Sequence, residues 1–143
     1  MNEQVRLPRW SIDTKPYWEA LQRSELTYQH CSACEQTVFH PRALCPYCLS
    51  DRLEWRRSQG RGTIYSFTIQ YVPVSPAWKS RMPIALGIVA LDEGYHMFTQ
   101  FLADDLDSLA IGQPVSVVFD RVSDELVLPK FALVSPPPET VTA

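Results

Sequence analysis

The sequence predicts a mainly β protein with one N-terminal helix, a short cysteine-containing ribbon and a five-stranded barrel of the OB type. Three observations lead to this fold class. A helical repeat of apolar residues occurs near the N-terminus, four cysteines fall within residues 31–48, and apolar residues alternate with a period of two from Gly60 onward. The twelve prolines and five glycines also favour rigid turns over long helices.

The composition is typical of an ordinary globular protein. Hydrophobic residues make up 45% of the 143 residues and charged residues 20%. The formal net charge of −3 gives no support to a basic nucleic-acid binder or to binding of an anionic membrane. Residues 1–10 contain no apolar run of the signal-peptide type, and no stretch approaches the roughly 20 apolar residues of a membrane helix. We therefore expect a cytoplasmic protein with reduced cysteines.

Residues 1–27 are predicted to form an arm followed by one helix. Residues 1–11 lack periodicity, and Asp13 or Thr14 can cap a helix whose first turn contains Pro16. The amphipathic pattern extends the helix over residues 15–26.

Two neighbouring aromatic residues of this helix, Tyr17 and Trp18, have two interpretations. They belong to a stripe that continues through Leu21, Glu25 and Tyr28. The simpler interpretation is packing against the rest of the chain, and it is favoured. The alternative is that Tyr17 and Trp18 dock onto a partner, since two adjacent aromatics exceed the usual need of a small core.

Residues 28–57 contain few side chains large enough to build a core. Ordering the backbone costs roughly 1–2 kcal/mol per residue, so another interaction must stabilise this segment. The sequence reads Cys-Ser-Ala-Cys, ten further residues, and Cys-Pro-Tyr-Cys. Two such pairs can complete a tetrahedron around one metal ion, and a tight hairpin through residues 38–42 would close the short spacer. The predicted ligands are Cys31, Cys34, Cys45 and Cys48.

Structural zinc is the favoured occupant of this site. Two disulfides are disfavoured by the expected compartment, and a redox Cys-x-x-Cys motif requires one pair rather than two matched pairs. Iron stays open as the less favoured metal, because four thiolates accept either ion. Four sulfur ligands leave no open coordination position, so the role of the metal is in folding. We expect His30, Arg42 and Arg52 to offset the excess negative charge.

Residues 58–135 are predicted to form the barrel, and residues 136–143 a frayed tail. Alternation places Tyr65, Phe67, Ile69 and Tyr71 on one strand face, where they are expected to fill the core. Asp92-Glu93-Gly94 indicates a hairpin turn. The five predicted strands are residues 64–71, 84–91, 95–102, 115–120 and 125–128, the last with a possible continuation to residue 134.

A catalytic set is not evident in the sequence. The four cysteines are assigned to the metal, and His96 of the barrel has no recognisable nucleophile or triad beside it. The Gly60-Arg61-Gly62 segment opens a strand rather than a helix, so it is not a phosphate loop. We expect a chain that is not catalytic alone.

An ordered set of motifs from residue 16 to residue 131 resembles a known family. This family comprises the proteins with a rubredoxin-like zinc ribbon and an OB-fold that accompany thiolase-superfamily enzymes acting on acyl-CoA. The glycine usual after each cysteine pair is replaced by Glu35 and Leu49. The motifs are Pro16-Tyr17-Trp18-Glu19-Ala20-Leu21, Cys31-x-x-Cys34, His40-Pro41-Arg42, Cys45-Pro46-Tyr47-Cys48, Gly60-Arg61-Gly62-Thr63-Ile64-Tyr65-Ser66, Leu91-Asp92-Glu93-Gly94, Ile111-Gly112-Gln113-Pro114-Val115 and Leu128-Pro129-Lys130-Phe131.

The resemblance implies a non-catalytic accessory subunit. Its partner would be a thiolase-fold subunit, either a thiolase, an aldolase or an acyltransferase, which supplies the catalytic residues. A two-plus-two hetero-oligomer would follow from the symmetry of a dimeric partner. The candidate contacts to the partner or to coenzyme A are Arg42, Trp78, Lys79 and Arg81.

A single-stranded nucleic-acid module is the alternative function. OB-folds stack bases on aromatic side chains, and Tyr65, Phe67 and Tyr71 are the candidates for such a platform. Cations at positions 56, 57 and 61 lie close in sequence. The acidic balance of the chain disfavours this alternative, because phosphate contacts supply most of the affinity.

Overall fold

The computed structural model describes residues 4–134 and confirms the predicted fold class. One α-helix, α1, precedes eight strands. Two short 3₁₀ turns, Pro76–Arg81 and Leu106–Ser108, lie in the connections. The helix spans Lys15–Gln22, and the strands are β1 Thr27–Cys31, β2 Thr37–Val38, β3 Leu53–Arg57, β4 Arg61–Gln70, β5 Ile84–Leu91, β6 His96–Leu102, β7 Pro114–Ser123 and β8 Leu126–Leu133.

The helix begins as predicted but ends four residues earlier. Thr14 is the N-cap residue and Pro16 lies in the first turn. At the other end, the N–H of Arg23 bonds to the carbonyl of Ala20, and Ser24 adopts a positive φ of 58°. This left-handed residue stops the helix and turns the chain into β1.

The buried face of α1 contains Tyr17, Ala20 and Leu21. Tyr17 is only 4% exposed, and its ring contacts Trp18 and Phe39 at centroid distances of 5.3 and 5.8 Å. Tyr17 therefore packs within its own chain, as the simpler interpretation has it. Trp18 is half-buried, and its docking onto a partner stays a prediction.

The ribbon is a three-stranded antiparallel sheet in the order β2-β1-β3. Its central strand β1 is buried along its whole length. In this sheet Gln29 pairs with Val38 on one side and with Trp55 on the other. The register brings the first cysteine, at the end of β1, next to Leu53 at the start of β3.

The five-stranded barrel is closed. Its strand order is β4-β5-β6-β8-β7, and a parallel pairing of β6 with β8 completes the circle. Sequence periodicity carries no information about this pairing, because it joins strands that are not consecutive. The predicted central strand β5 pairs with both β4 and β6, and Gly94 forms the predicted turn with φ 91°.

A bulge in β4 overturns the prediction for its aromatic face. The register against β5 shifts between Ile64 and Ser66, so Tyr65 is the extra residue. Ile64 is buried before the shift, whereas Tyr65 is 56% exposed. Tyr71 lies past the end of the strand and is 65% exposed. The expectation that Tyr65 and Tyr71 fill the core is therefore wrong.

One hydrophobic core joins the helix, the ribbon and the barrel. Phe101 and Phe131 lie at its centre, and Phe39 of the ribbon stacks on Tyr95 of the barrel at 5.0 Å. Gly87 allows β5 to approach β4 closely, because a Cβ there would collide with the backbone of Ser66. The predicted tail, residues 136–143, falls outside the described residues. None of the helices within residues 4–134 is long and apolar enough to cross a membrane.

Candidate metal centre

The four predicted cysteines come together in one cluster. Their sulfur atoms all lie within 4.8 Å of one another. The Sγ atoms of Cys31 and Cys48 are 3.6 Å apart, as are those of Cys34 and Cys45. Four sulfurs at about 2.3 Å from a central ion form a tetrahedron with edges of about 3.8 Å. The donor set and its spacing therefore fit a tetrahedral metal ion, and the four cysteines form a structural metal site.

The two cysteine pairs adopt the same turn. In the first, the N–H of Glu35 bonds to the carbonyl of Cys31 at 2.8 Å. In the second, the N–H of Leu49 bonds to the carbonyl of Cys45 at 2.9 Å. Each turn ends on a left-handed residue, with φ of 61° at Glu35 and 62° at Leu49. The geometry that glycine usually supplies is thus kept without glycine, at a steric cost.

Burial, hydrogen bonds from the backbone and contacts among the sulfurs shift the pKa values of the four thiols in different directions. The N–H of Cys34 lowers the pKa of Cys31. Burial raises the pKa of Cys45, but the N–H groups of Tyr47 and Cys48 outweigh it and bring this pKa to about 7. Burial raises the pKa of Cys34 to about 12, and for Cys48 burial and the neighbouring thiols outweigh a backbone N–H and raise its pKa. A bound cation displaces the remaining protons, because the ligand form is the thiolate.

Among the described residues, a backbone N–H rather than a predicted cation hydrogen-bonds to a cysteine sulfur. Within residues 4–134, no hydrogen bond joins the side chain of His30, Arg42 or Arg52 to a cysteine sulfur, whereas the N–H of Tyr47 lies 3.4 Å from Cys45 Sγ. The expectation that these three side chains offset the charge of the cluster stays a prediction. The turn already positions this backbone dipole, so the dipole stabilises a thiolate at no cost in side-chain entropy.

His30 and Arg42 have other partners. His30 is buried, and its Nε2 lies 2.9 Å from Glu35 Oε2, which ties the first turn to β1. The guanidinium of Arg42 donates to the carbonyl of His40 at 3.1 Å. Arg42 is exposed, so its predicted contact with a partner stays open to test.

Sequence reasoning missed Gln29, whose side chain binds the loop before the second cysteine pair. Gln29 is 4% exposed, and its side-chain Nε2 donates to the carbonyl of Arg42 at 3.1 Å. In return, the N–H of Arg42 donates to Gln29 Oε1 at 2.9 Å. Two reciprocal bonds from one buried amide fix the loop that leads to Cys45. The sequence signal is a glutamine in a strand two residues before a cysteine, and this pattern is too common to be diagnostic.

The second cysteine turn exposes three large apolar side chains. Leu44 is 50% exposed, Tyr47 66% and Leu49 74%. Cys48 is itself exposed, whereas Cys45 is buried. The metal site therefore has one face on the core and one face at the surface, where apolar side chains surround it.

The remaining predicted contacts lie away from the cysteines in sequence. Trp78, Lys79 and Arg81 all belong to the 3₁₀ turn Pro76–Arg81, ahead of β5. The guanidinium of Arg81 lies over the ring of Trp78, 5.4 Å from its centroid. Trp78 is half-buried, whereas Lys79 and Arg81 are exposed.

Comparison with known proteins matches both parts of the chain to one family. Residues 18–54 match the family model described as the ChsH2 rubredoxin-like zinc ribbon domain, and residues 55–120 match the ChsH2 C-terminal OB-fold domain. A DUF35 domain-containing scaffold protein of Methanothermobacter thermautotrophicus is 34% identical over 105 residues, which cover 73% of this chain and 78% of that protein. The chain belongs to the ChsH2 (DUF35) family. The resemblance stated from the sequence is thereby confirmed.

Two further relatives in this family are parts of enzymes. A probable enoyl-CoA hydratase alpha subunit of Thermomonospora curvata is 30% identical over 133 residues. The 3-oxo-4,17-pregnadiene-20-carboxyl-CoA hydratase alpha subunit of Mycobacterium tuberculosis is 29% identical over 115 residues. These matches cover 93% and 78% of this chain but only 41% and 35% of the two relatives. The chain therefore corresponds to less than half of each hydratase subunit.

Solved structures of the ChsH2 (DUF35) family share the fold. A chain in the structure named Ltp2-ChsH2(DUF35) aldolase superposes with a TM-score of 0.79 at 30% sequence identity. The match covers 89% of this chain and 98% of that one. A DUF35 family protein of unknown function from Sulfolobus solfataricus gives a TM-score of 0.62 at 12% identity, with 87% of each chain covered.

Proposed function

We propose that this chain is a non-catalytic accessory subunit of an acyl-CoA enzyme complex whose catalytic residues lie on a thiolase-fold partner. The observation that carries the proposal is the cysteine cluster: its four sulfurs, all within 4.8 Å of one another, would fill the coordination of one ion. A metal bound in this way has no position for water or substrate, so it stabilises the fold and takes no part in catalysis. We further propose that this ion is zinc and that the protein works in the cytoplasm.

The relatives support a role within a complex. One is named a scaffold protein, one carries the name of Ltp2 together with ChsH2, and two are alpha subunits of CoA hydratases. Each name describes a component of a larger assembly or a protein that organises one. A thiolase, an aldolase or an acyltransferase is the class of partner that we propose, in a two-plus-two hetero-oligomer.

The exposed apolar side chains of the second cysteine turn are a suitable contact for this partner. Leu49 holds a left-handed conformation although 74% of its surface is exposed, so its side chain gains little from its own fold. Glu35 has the same conformation in the first turn but contacts His30. The steric cost at Leu49 is explained if its side chain is buried by the partner. Arg42 and Trp18 are further candidate contacts.

Co-expression tests the proposal. The chain and the thiolase-fold enzyme encoded beside it are produced together, purified through a tag on one of them, and analysed by light scattering. We expect a stable complex and an increase in the partner's activity. Leu49→Asp should weaken the complex at least tenfold, whereas Ile111→Asp, at an equally exposed position on the barrel, should leave it intact. A monomeric chain beside a fully active enzyme would refute the proposal.

One observation favours the nucleic-acid alternative, and another argues against it. Tyr65 is exposed, and its ring lies 4.5 Å from that of His96. However, Arg56 lies 3.7 Å from Glu54, and Arg57 lies 3.9 Å from Glu25, so both cations have acidic neighbours. Phosphate binding would have to compete with these contacts. Titration with a labelled single-stranded oligonucleotide should detect no micromolar binding, and salt-dependent binding would restore this alternative.

A further inference from the structure

A small cleft lies between the N-terminal arm, helix α1 and the hairpin loop that joins β7 to β8. It has a volume of about 310 Å³. Two indole rings line it: Trp10 of the arm is 44% exposed, and Trp18 of the helix is half-buried. Tryptophan is highly buried on average, so two partly exposed indoles in one cleft are a surface suited to a ligand. The other lining residues are Lys15, Glu19, Gln22, Asp124 and Glu125.

The charge of the cleft is negative. One lysine stands against three carboxylates among its lining residues, which leaves two carboxylates in excess. Lys15 lies 3.7 Å from Glu19 on the helix. Within residues 4–134, neither Asp124 nor Glu125 of the hairpin loop forms an ion pair. Both carboxylates of the loop are therefore available to an incoming cation.

Two nearby arginines leave these carboxylates unpaired. Arg121 donates to Gln22 Oε1 at 2.8 Å and to the backbone carbonyl of Asp124 at 3.3 Å, so it ties the hairpin to the helix. Arg9 lines a neighbouring concavity of about 450 Å³. Among the described residues, it forms no ion pair with Glu125, which borders both cavities. The walls of the cleft are thus held together without neutralising its acidic side.

A turn at the start of α1 fixes the chain next to Trp10. The N–H of Ser11 donates to Thr14 Oγ1 at 2.9 Å, and the N–H of Lys15 donates to the carbonyl of Ser11 at 2.9 Å. The backbone that carries the first indole is therefore ordered before any ligand arrives. Such preorganisation reduces the conformational entropy that binding costs.

We propose that this cleft binds a basic side chain, preferably arginine, on the surface of the thiolase-fold partner. Indole attracts cations more strongly than the other aromatic side chains do. A planar guanidinium can stack on an indole and donate to a carboxylate at the same time. An acidic partner side chain would be repelled by the two free carboxylates, and an apolar one would leave them unpaired at the interface. The identity of the partner rests on the proposed function, whereas the charge of the occupant rests on the cleft.

The affinity of the purified partner enzyme for the metal-loaded full chain tests this contact. Trp10→Ala should weaken the complex about tenfold, as expected for truncation of an aromatic residue that carries binding energy. Asp124→Asn should weaken it about twofold to fivefold, the range for an exposed ion pair. The effect of Asp124→Asn should shrink at high salt, because salt screens exposed charges.

Asp107→Asn is the matched control. Asp107 is exposed on the barrel and undergoes the same change in charge, but it is not among the residues that line the cleft. This variant should bind the partner as the wild type does. Equal weakening by Asp107→Asn and Asp124→Asn would mean that only the net charge of the chain matters, and it would overturn the proposal.

Two short peptides test the cleft without the partner. Acetyl-Gly-Arg-Gly-amide and its citrulline analogue, which is neutral but similar in shape, are titrated at millimolar concentration into the full chain, and the indole N–H signals are followed by NMR. The arginine peptide should shift the signals of Trp10 and Trp18 and leave those of Trp55 and Trp78 unchanged. The citrulline peptide should shift none of them. Equal shifts from both peptides, or no shift from the arginine peptide, would overturn the proposal.

These outcomes are separable from those of the proposed function. If Trp10→Ala and Asp124→Asn form the complex as the wild type does, the cleft is not a contact with this partner and the inference alone is wrong. If the arginine peptide shifts the two indole signals in a chain that forms no complex, the accessory role is wrong and the cleft remains a site for a basic side chain.

Discussion

Replacing Leu49 by glycine should stabilise the metal-loaded chain. Leu49 has a φ of 62° and is 74% exposed. The left-handed conformation costs a side-chain-bearing residue roughly 1–2 kcal/mol, and glycine does not pay this cost. Glycine in turn loses more backbone entropy on folding, about 0.5–1 kcal/mol. Little packing is lost, so the free energy of unfolding should rise by about 0.5–1 kcal/mol, the difference between these terms.

Urea denaturation of the metal-loaded protein measures this change, and two further variants isolate its cause. Leu49→Ala keeps the steric cost but removes most of the side chain, so its stability should stay near that of the wild type. Glu35→Gly removes the same steric cost but also removes the contact with His30. Because Glu35 is exposed, that contact contributes at most about 1 kcal/mol. The net change in the free energy of unfolding should therefore be near zero. The strain argument fails if Leu49→Gly is less stable than Leu49→Ala.

Three other changes test the ribbon and the core. Cys45→Ser should abolish stoichiometric metal binding, measured by elemental analysis, and should lower the melting temperature, because structural zinc contributes roughly 10–16 kcal/mol in small peptides. Gln29→Leu should lower the free energy of unfolding by about 1–3 kcal/mol, because it leaves the N–H and C=O of Arg42 without partners. Gln36→Leu, at an exposed position, should be neutral in the same urea titration. Burial raises the pKa of Tyr17 in the folded state, so the unfolded chain releases this proton first, at about pH 10. Above that pH, the wild type should lose more stability than Tyr17→Phe does. Equal losses of stability in the two proteins at alkaline pH would contradict this reasoning.

The amino-acid sequence by itself determined the helix, the five strands of the barrel and the four cysteines of the metal site. The two-residue gaps within each cysteine pair bring sulfurs to one ion whatever the surrounding fold, and strand periodicity located all five strands of the barrel. These signals are local, because they depend on residues within one turn or one strand. For the same reason the sequence located Pro16 in the first helical turn and Gly94 in a hairpin turn, since each residue favours a particular backbone conformation.

Only the tertiary structure decided the register, the closure and the surroundings of the metal. A single extra residue at Tyr65 reverses the faces of β4, and its cause is the pairing with β5, which alternation within one strand does not encode. Closure depends on a parallel pairing between β6 and β8, which are distant in sequence. The backbone N–H of Tyr47 lies against the sulfur of Cys45, so a backbone dipole contributes to the charge balance of the cluster. Backbone dipoles are the same at every residue, so no pattern of side chains reveals where they converge.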